Sequence, residues 1–101
     1  MALDFHRLDN DTFLFGLDEN KFLNIQEIFN VYENWTGILI DQYSDLKLSI
    51  ENQKIIIKII DTYINNTNLN LNKLKTIDII EFRAFIKYYS DKNIDIKVLG
   101  D

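Results

Sequence analysis

The sequence has no cysteine and no proline, and it has a single histidine among 101 residues. Without cysteine the chain forms no disulfide, no thiolate zinc site and no cysteine nucleophile, which fits a reducing compartment. No apolar stretch approaches the roughly 18 to 20 residues of a membrane helix. The N-terminus also lacks a basic segment followed by an apolar run, as a secretion signal would have. We therefore expect a cytoplasmic protein with no membrane segment.

Negative charge is concentrated in the first part of the chain. Residues 1–45 carry nine acids against two bases, whereas the remaining residues carry seven acids against nine bases. The formal charges of the two parts are −7 and +2, which together give the net charge of −5. Because phosphate binding needs clustered lysine and arginine, the acidic part argues against direct nucleic-acid binding. A negative surface also keeps a small protein soluble, so the charge alone does not indicate recognition.

Alternating apolar and polar residues predict the strands. The length, with 47% hydrophobic and 27% charged residues, indicates one folded domain at residues 1–101. Residues 3–6 and 12–15, joined by a polar turn, predict a β-hairpin that ends at Gly16. Further short apolar runs predict extended segments or strands at residues 38–40, 46–48 and 94–98.

Apolar residues at helical spacing predict three helices. Asp18 caps the first, whose apolar stripe extends to Trp35 and whose stop signal is Thr36-Gly37. Residues 50–64 form the second helix, and Thr76 caps the third. The fold class is therefore predicted to be α+β. Three helices pack on a small, mainly antiparallel sheet of an N-terminal hairpin, a short central strand and a C-terminal strand.

The predicted third helix carries two apolar stripes instead of one. The first stripe consists of Ile79, Phe82, Phe85, Ile86 and Tyr89, and the second of Ile77, Ile80, Ala84 and Tyr88. One stripe faces the core. The second packs either within the monomer or on another chain, in which case the protein would be a homodimer. We expect the contact within the monomer.

Candidate binding residues are acids that alternate with aromatic and amide groups in turns and at a helix start. Tyrosine gives a large contact area at low entropic cost, and carboxylates engage arginine or lysine of a partner. If residues 9–11 are extended, their two carboxylates project on one side about 6 to 7 Å apart. That spacing suits basic residues arranged to grip a nucleic-acid backbone. The predicted partner-binding residues are Asp9, Asp11, Asp18, Glu19, Asp41, Tyr43 and Asp45.

No constellation in the sequence points to catalysis. A nucleophilic triad would have to be built around His6, which lies in a predicted strand. The pattern of a calcium loop is not met, and no glycine-rich segment forms a phosphate cradle. We therefore expect a protein that is not an enzyme and that binds no metal and no cofactor.

Two stretches, MALDFHRLDNDTFLFGLDENKF (residues 1–22) and TGILIDQYSDLKLS (residues 36–49), carry a family resemblance. They resemble the small acidic immunity proteins of bacterial polymorphic-toxin and contact-dependent growth inhibition systems. The resemblance implies a cytosolic protein without catalytic activity that binds a cognate toxin domain and blocks its active site or a nearby surface. Such toxins are often nucleases, whose basic clefts would suit an acidic partner.

A small acidic secretion chaperone is the alternative. It would dimerise through the second stripe of the third helix and would hold an unfolded effector segment along apolar surface. The salt response separates the two functions. Strong weakening of binding by salt favours charge matching, and slight weakening favours apolar capture.

Overall fold

The computed structural model describes residues 2–100 and has an α+β fold, which confirms the predicted fold class. Three helices pack on one face of a four-stranded antiparallel sheet. The strand order is β2-β1-β4-β3, so that β2 and β3 form the two edges. In chain order the elements are β1 (Ala2–Arg7), β2 (Phe13–Asp18), α1 (Glu19–Thr36), β3 (Asp45–Leu48), α2 (Ile50–Asn66), α3 (Lys73–Asp91) and β4 (Ile96–Gly100).

Alternation along the strands places one face of the sheet against the helices. Phe5 of β1 lies between Phe15 of β2 and Val98 of β4, and all three side chains are buried. The rings of Phe5 and Phe15 stack with centroids 4.3 Å apart, and Phe82 of α3 meets both of them edge-on. The residues between these positions point to the other face, which no helix covers.

The capping signals of α1 are confirmed. The Asp18 carboxylate accepts a hydrogen bond from the backbone N–H of Lys21 at 2.8 Å, and Gly37 ends the helix with φ +76°. Glycine suits that left-handed conformation because it has no Cβ to clash. Trp35, at the end of the predicted apolar stripe, is 51% exposed. It lies in the last turn of α1, with the Nζ of Lys58 5.9 Å from the ring centroid.

A fully buried glutamine joins α2 to the sheet. Gln53 donates through Nε2 to the backbone carbonyl of Leu48 at 3.0 Å and to that of Ile94 at 2.8 Å. Leu48 ends β3, and Ile94 precedes β4. The side chain therefore holds the two neighbouring strands to the first turns of α2. Ile56 and Ile60, both fully buried, continue the same helix into the core.

Two predicted boundaries in the sheet are wrong. Gly16 lies inside β2 and pairs with Asp4, so it does not end the hairpin. Residues 38–40 do not form a strand. The short central strand is Asp45–Leu48, and Ile40 is buried in irregular chain that leads from α1 toward it. Ile38 is half-buried and Leu39 is 50% exposed, so the run contributes mainly Ile40 to the core.

The start of α3 differs from the prediction by one turn. Asn72, not Thr76, caps the helix, because its side-chain oxygen accepts a hydrogen bond from the backbone N–H of Lys75 at 3.0 Å. Thr76 lies inside the helix and donates its hydroxyl to the carbonyl of Leu69. Asparagine and threonine both cap helices well, and a start at Asn72 makes α3 one turn longer than a start at Thr76. None of the helices within residues 2–100 is long and apolar enough to cross a membrane.

The two stripes of α3 have different environments. Ile79, Phe82 and Ile86 of the first stripe are buried, as predicted. The expected contact of the second stripe within the monomer is wrong. Its residues point away from the sheet, and their exposed fractions are 58% for Ile77, 45% for Ile80 and 56% for Tyr88, with Ala84 also exposed.

Candidate functional site

The uncovered face of the sheet carries polar and charged side chains from all four strands. At one end of this open face, Asp4 of β1 and Asp45 of β3 both pair with Leu99 of β4. The two carboxylates therefore flank one leucine on the same face, about 10 Å apart across two strand spacings. We call Asp4, Leu99 and Asp45, with the adjoining loop at residues 41–44, the acidic end of the sheet.

Glycine at position 16 leaves space for the Asp4 carboxylate. Gly16 is the cross-strand partner of Asp4 on the edge strand β2. A Cβ at this position would lie 3.2 Å from Asp4 Oδ1 and 3.5 Å from the ring of Phe13. Within residues 2–100, neither Asp4 nor Asp45 forms an ion pair with another described residue. No cation of the described part of the chain therefore competes with an outside cation for either carboxylate.

The loop before β3 is held by its own polar groups and presents a tyrosine. The Asp41 carboxylate accepts a hydrogen bond from the backbone N–H of Tyr43 at 2.9 Å, and the backbone N–H of Asp41 donates to Ser44 Oγ at 2.7 Å. Gly100 of β4 donates its backbone N–H to the Ser44 carbonyl at 2.6 Å. This arrangement fixes the loop beside the sheet and leaves Tyr43 74% exposed.

The hairpin turn at the opposite end of the sheet also carries acids, but basic residues neutralise them. Asp9 forms an ion pair with Arg7 at 2.9 Å, and Asp11 forms one with Lys97 Nζ at 2.5 Å. The hydrogen bond from Arg7 lowers the pKa of Asp9 below its ordinary value. The hydrogen bond from Lys97 does the same to the pKa of Asp11. A partner's cation would have to displace these internal ones.

Residues 9–11 belong to the predicted polar turn, so the extended geometry considered for their carboxylates does not occur. Residues 8–10 form a turn, and Asp11 has φ +60°, in the left-handed region. The Asp11 backbone N–H donates to the Arg7 carbonyl at 3.0 Å, and Arg7 N–H donates to the Thr12 carbonyl at 2.8 Å. These turn hydrogen bonds and the two ion pairs hold the acids in separate directions. The two carboxylates do not project side by side as in a strand.

The seven predicted binding residues therefore do not form one continuous site. Asp18 and Glu19 lie where β2 meets α1, and the Asp18 carboxylate caps that helix. This junction is at the same end of the sheet as Asp45 but on the other edge, about 14 Å away across three strand spacings. Asp9 and Asp11 lie at the far end. The structure brings together Asp41, Tyr43 and Asp45.

Asp4 belongs to this group and was not among the predicted residues. The alternation around Leu3 and Phe5 indicated that Asp4 faces away from the core. Its pairing with Leu99, 95 positions further along the chain, could not be read from that pattern. The strand order is what places Asp4 two strands from Asp45.

His6 lies on the open face and is held by the hairpin turn. Its Nδ1 is 3.0 Å from the Asp11 carbonyl oxygen, and its ring meets Phe13 edge-on at 5.5 Å. Lys97 is its cross-strand neighbour on β4. Within residues 2–100, no three histidine, aspartate or glutamate side chains are grouped so that they could hold a metal ion.

No family model matches the chain, and no curated protein and no solved structure is similar to it. The resemblance of residues 1–22 and 36–49 to immunity proteins stays a prediction from the sequence. What the acidic end of the sheet can bind is inferred below from its geometry and charge.

Proposed function

We propose that the protein is a cytoplasmic immunity protein without catalytic activity, and that it binds and neutralises a toxin domain with a basic surface through the acidic end of the sheet. The observation that carries this proposal is the placement of Asp4 and Asp45. Two carboxylates that form no ion pair within residues 2–100 flank Leu99 on the open sheet face. The exposed ring of Tyr43 adjoins them.

The chemistry of this surface suits arginine and lysine on a folded partner. A carboxylate can accept two parallel hydrogen bonds from one guanidinium, which gives geometric specificity as well as attraction. Leu99 and Tyr43 add apolar contact between and beside the charges, as in the centre of many protein interfaces. A nuclease cleft presents such cations to its substrate phosphates, so a sheet face with separated carboxylates can occupy it.

The excess of acids also affects how fast a partner binds. A net charge of −5 steers a cationic protein toward this one, and this attraction raises the association rate more than it raises the final affinity. Rapid capture matters when the partner damages the cell before it is bound. Asp9 and Asp11 contribute less to direct contact, because Arg7 and Lys97 already compensate their charges.

The proposal is tested by reversing the charge of the two uncompensated carboxylates together. In Asp4→Lys/Asp45→Lys, we expect the association rate with a candidate toxin domain, sought in the gene immediately upstream and by using the protein as bait, to fall at least tenfold at low salt. Neither carboxylate forms an ion pair within residues 2–100, so the melting temperature should change little. Cells that produce that toxin should lose protection when they carry this variant.

The matched control is Glu33→Lys/Glu51→Lys, which changes the net charge by the same amount. Glu33 lies on α1 and Glu51 on α2, in the helical layer behind the sheet. We expect this control to slow association only modestly through the overall charge, and to protect cells. Equal rates for the two double variants would refute the acidic end as the contact surface. Failure of the unmodified protein to bind or protect would refute the immunity function itself.

One observation favours the alternative, a dimeric secretion chaperone. The second stripe of α3 is exposed, and an apolar surface of this kind is what such a chaperone would need. Binding of an effector segment along apolar surface should be weakened only slightly by salt. The same association measurement at low and high salt therefore separates the two functions.

A further inference from the structure

The outward face of α3 is an apolar surface that nothing in the monomer covers. Leu74 is 75% exposed, and it extends the second stripe of Ile77, Ile80, Ala84 and Tyr88 toward the start of the helix. This α3 stripe runs the length of a helix of 19 residues, about 28 Å at the rise of an α-helix. An exposed apolar surface of this extent on a small protein indicates an interaction site.

The charges at the ends of α3 are opposite to those that stabilise an isolated helix. Lys73 and Lys75 occupy the first turn, which contains no acid, while Asp91 ends the helix and the last turn contains no base. The positive end of the helix dipole therefore meets cations. At the negative end, the exposed Asp91 pairs with Lys87 of the preceding turn at 2.8 Å. A second helix packed alongside in the opposite direction would bring an anion to the first turn, and its own Lys73 would join the exposed Lys87–Asp91 pair at the last turn.

We infer that α3 is a self-association surface on which a second copy of this chain packs antiparallel through the α3 stripe. A twofold axis at the level of residue 82 places Lys73 opposite the second copy's Asp91 and Ile80 opposite the second copy's Ala84. Each pairing occurs twice because of the symmetry. Large and small side chains then face each other, which lets two helices approach closely.

The flanking residues fit the same arrangement. Leu74 comes beside the second copy's Tyr88, and both side chains are more than half exposed in the monomer. Glu81 lies near the twofold axis, where it approaches the Glu81 of the second copy. Lys21 of α1 already binds Glu81 at 2.9 Å, so each of these carboxylates brings its own cation. Lys73 forms no ion pair with another residue of the described range 2–100.

The area that this arrangement buries is sufficient for a weak but specific dimer. Covering the α3 stripe in both copies removes on the order of 1,000 Å² from water, at the lower end of specific interfaces. The stripe points away from the sheet, so the dimer leaves the acidic end uncovered. Self-association is therefore independent of the proposed inhibitor function, and either one can fail without the other.

The test uses sedimentation equilibrium of the whole chain, up to about 1 mM, where even weak dimers are populated. We expect a monomer–dimer equilibrium that Ile77→Asp abolishes. Its control, Leu39→Asp, introduces the same charge at another half-exposed aliphatic residue outside α3 and should dimerise normally. A chain that is monomeric at every concentration, or a dimer that Ile77→Asp leaves intact, would overturn the inference.

Charge exchange tests the antiparallel geometry. Lys73→Glu and Asp91→Lys each place like charges together at both ends of the dimer, so each should weaken dimerisation about tenfold. An equimolar mixture of the two variants should restore it, because each end of the mixed dimer then joins opposite charges. Lys54→Glu, on the exposed side of α2, is the control for a change of net charge. If the mixture dimerises no better than either variant alone, the antiparallel pairing is contradicted.

Discussion

Replacing the buried glutamine of α2 tests how the helical layer is attached to the sheet. Gln53 is fully buried, and its Nε2 donates to two backbone carbonyls that belong to different segments of the chain, Leu48 and Ile94. Gln53→Leu keeps a side chain of similar size in place but removes both donors. The carbonyl oxygens that it served are then left in or near the core.

The size of the effect follows from those two hydrogen bonds. Each is worth about 1 kcal/mol net, and a buried carbonyl left without a donor costs about 1 to 3 kcal/mol more. The bond to Leu48 is buried and the bond to Ile94 only partly so, which lets water replace the second. The Oε1 atom of Gln53 has no partner within residues 2–100, so its removal offsets part of the loss. We expect a decrease in stability of about 2 to 3 kcal/mol.

Urea unfolding measures this decrease directly. The midpoint of Gln53→Leu should fall by roughly 1 to 2 M with an unchanged slope. Gln26→Leu makes the same chemical change at an exposed position of α1 and should alter stability by less than about 0.5 kcal/mol. If both variants lose the same small amount of unfolding free energy, Gln53 does not anchor α2 to the strands, and the reasoning from its hydrogen bonds is refuted.

Two further predictions concern the core and the hairpin turn. Ile56→Ala, at a fully buried position of α2, should cost about 2 to 5 kcal/mol in the same assay, and a loss near zero would contradict its place in the core. The pKa of Asp11 is lowered in the folded protein by the hydrogen bond from Lys97, so its stabilising contribution is present above the ordinary aspartate pKa and is lost as pH falls through the folded value. Asp11→Asn should therefore lower the melting temperature at neutral pH but not in strong acid, and a deficit that is equal at both pH values would contradict the ion pair.

Local signals were sufficient to predict the hairpin and both ends of α1. An aspartate that accepts a backbone hydrogen bond and a glycine with positive φ act within a few residues of their position, as Asp18 and Gly37 do. The same kind of signal failed at α3, where Asn72 and Thr76 both had suitable side chains one turn apart. The choice between them depends on whether the intervening turn can pack, which a local pattern does not contain.

Burial of a second apolar stripe could not be predicted from helical periodicity. The spacing of Ile77, Ile80 and Tyr88 shows that they share one side of α3, but only the orientation of the helix on the sheet decides what that side meets. Phe82 lies on the opposite side of α3, and its ring contacts the rings of Phe5 and Phe15. Once that contact is formed, the second stripe is directed outward.

The candidate site depended on contacts between distant parts of the chain. Lys97 lies 86 residues after the Asp11 that it neutralises. Asp4 and Asp45 are brought to one face only because β4, the last strand, lies between β1 and β3. A count of acids along residues 1–45 predicts a negative surface but does not distinguish carboxylates that are paired internally from those that are available to a partner.

The two proposed surfaces lie on opposite layers of the molecule, so both can be occupied at the same time. The acidic end belongs to the open face of the sheet, whereas the α3 stripe lies on the outside of the helices. An antiparallel α3 pair places the helical layers in the middle and both sheets outside. Each copy of the dimer then presents Asp4, Asp45 and Tyr43 to solvent on its own side, so one dimer can bind two basic partners without one blocking the other.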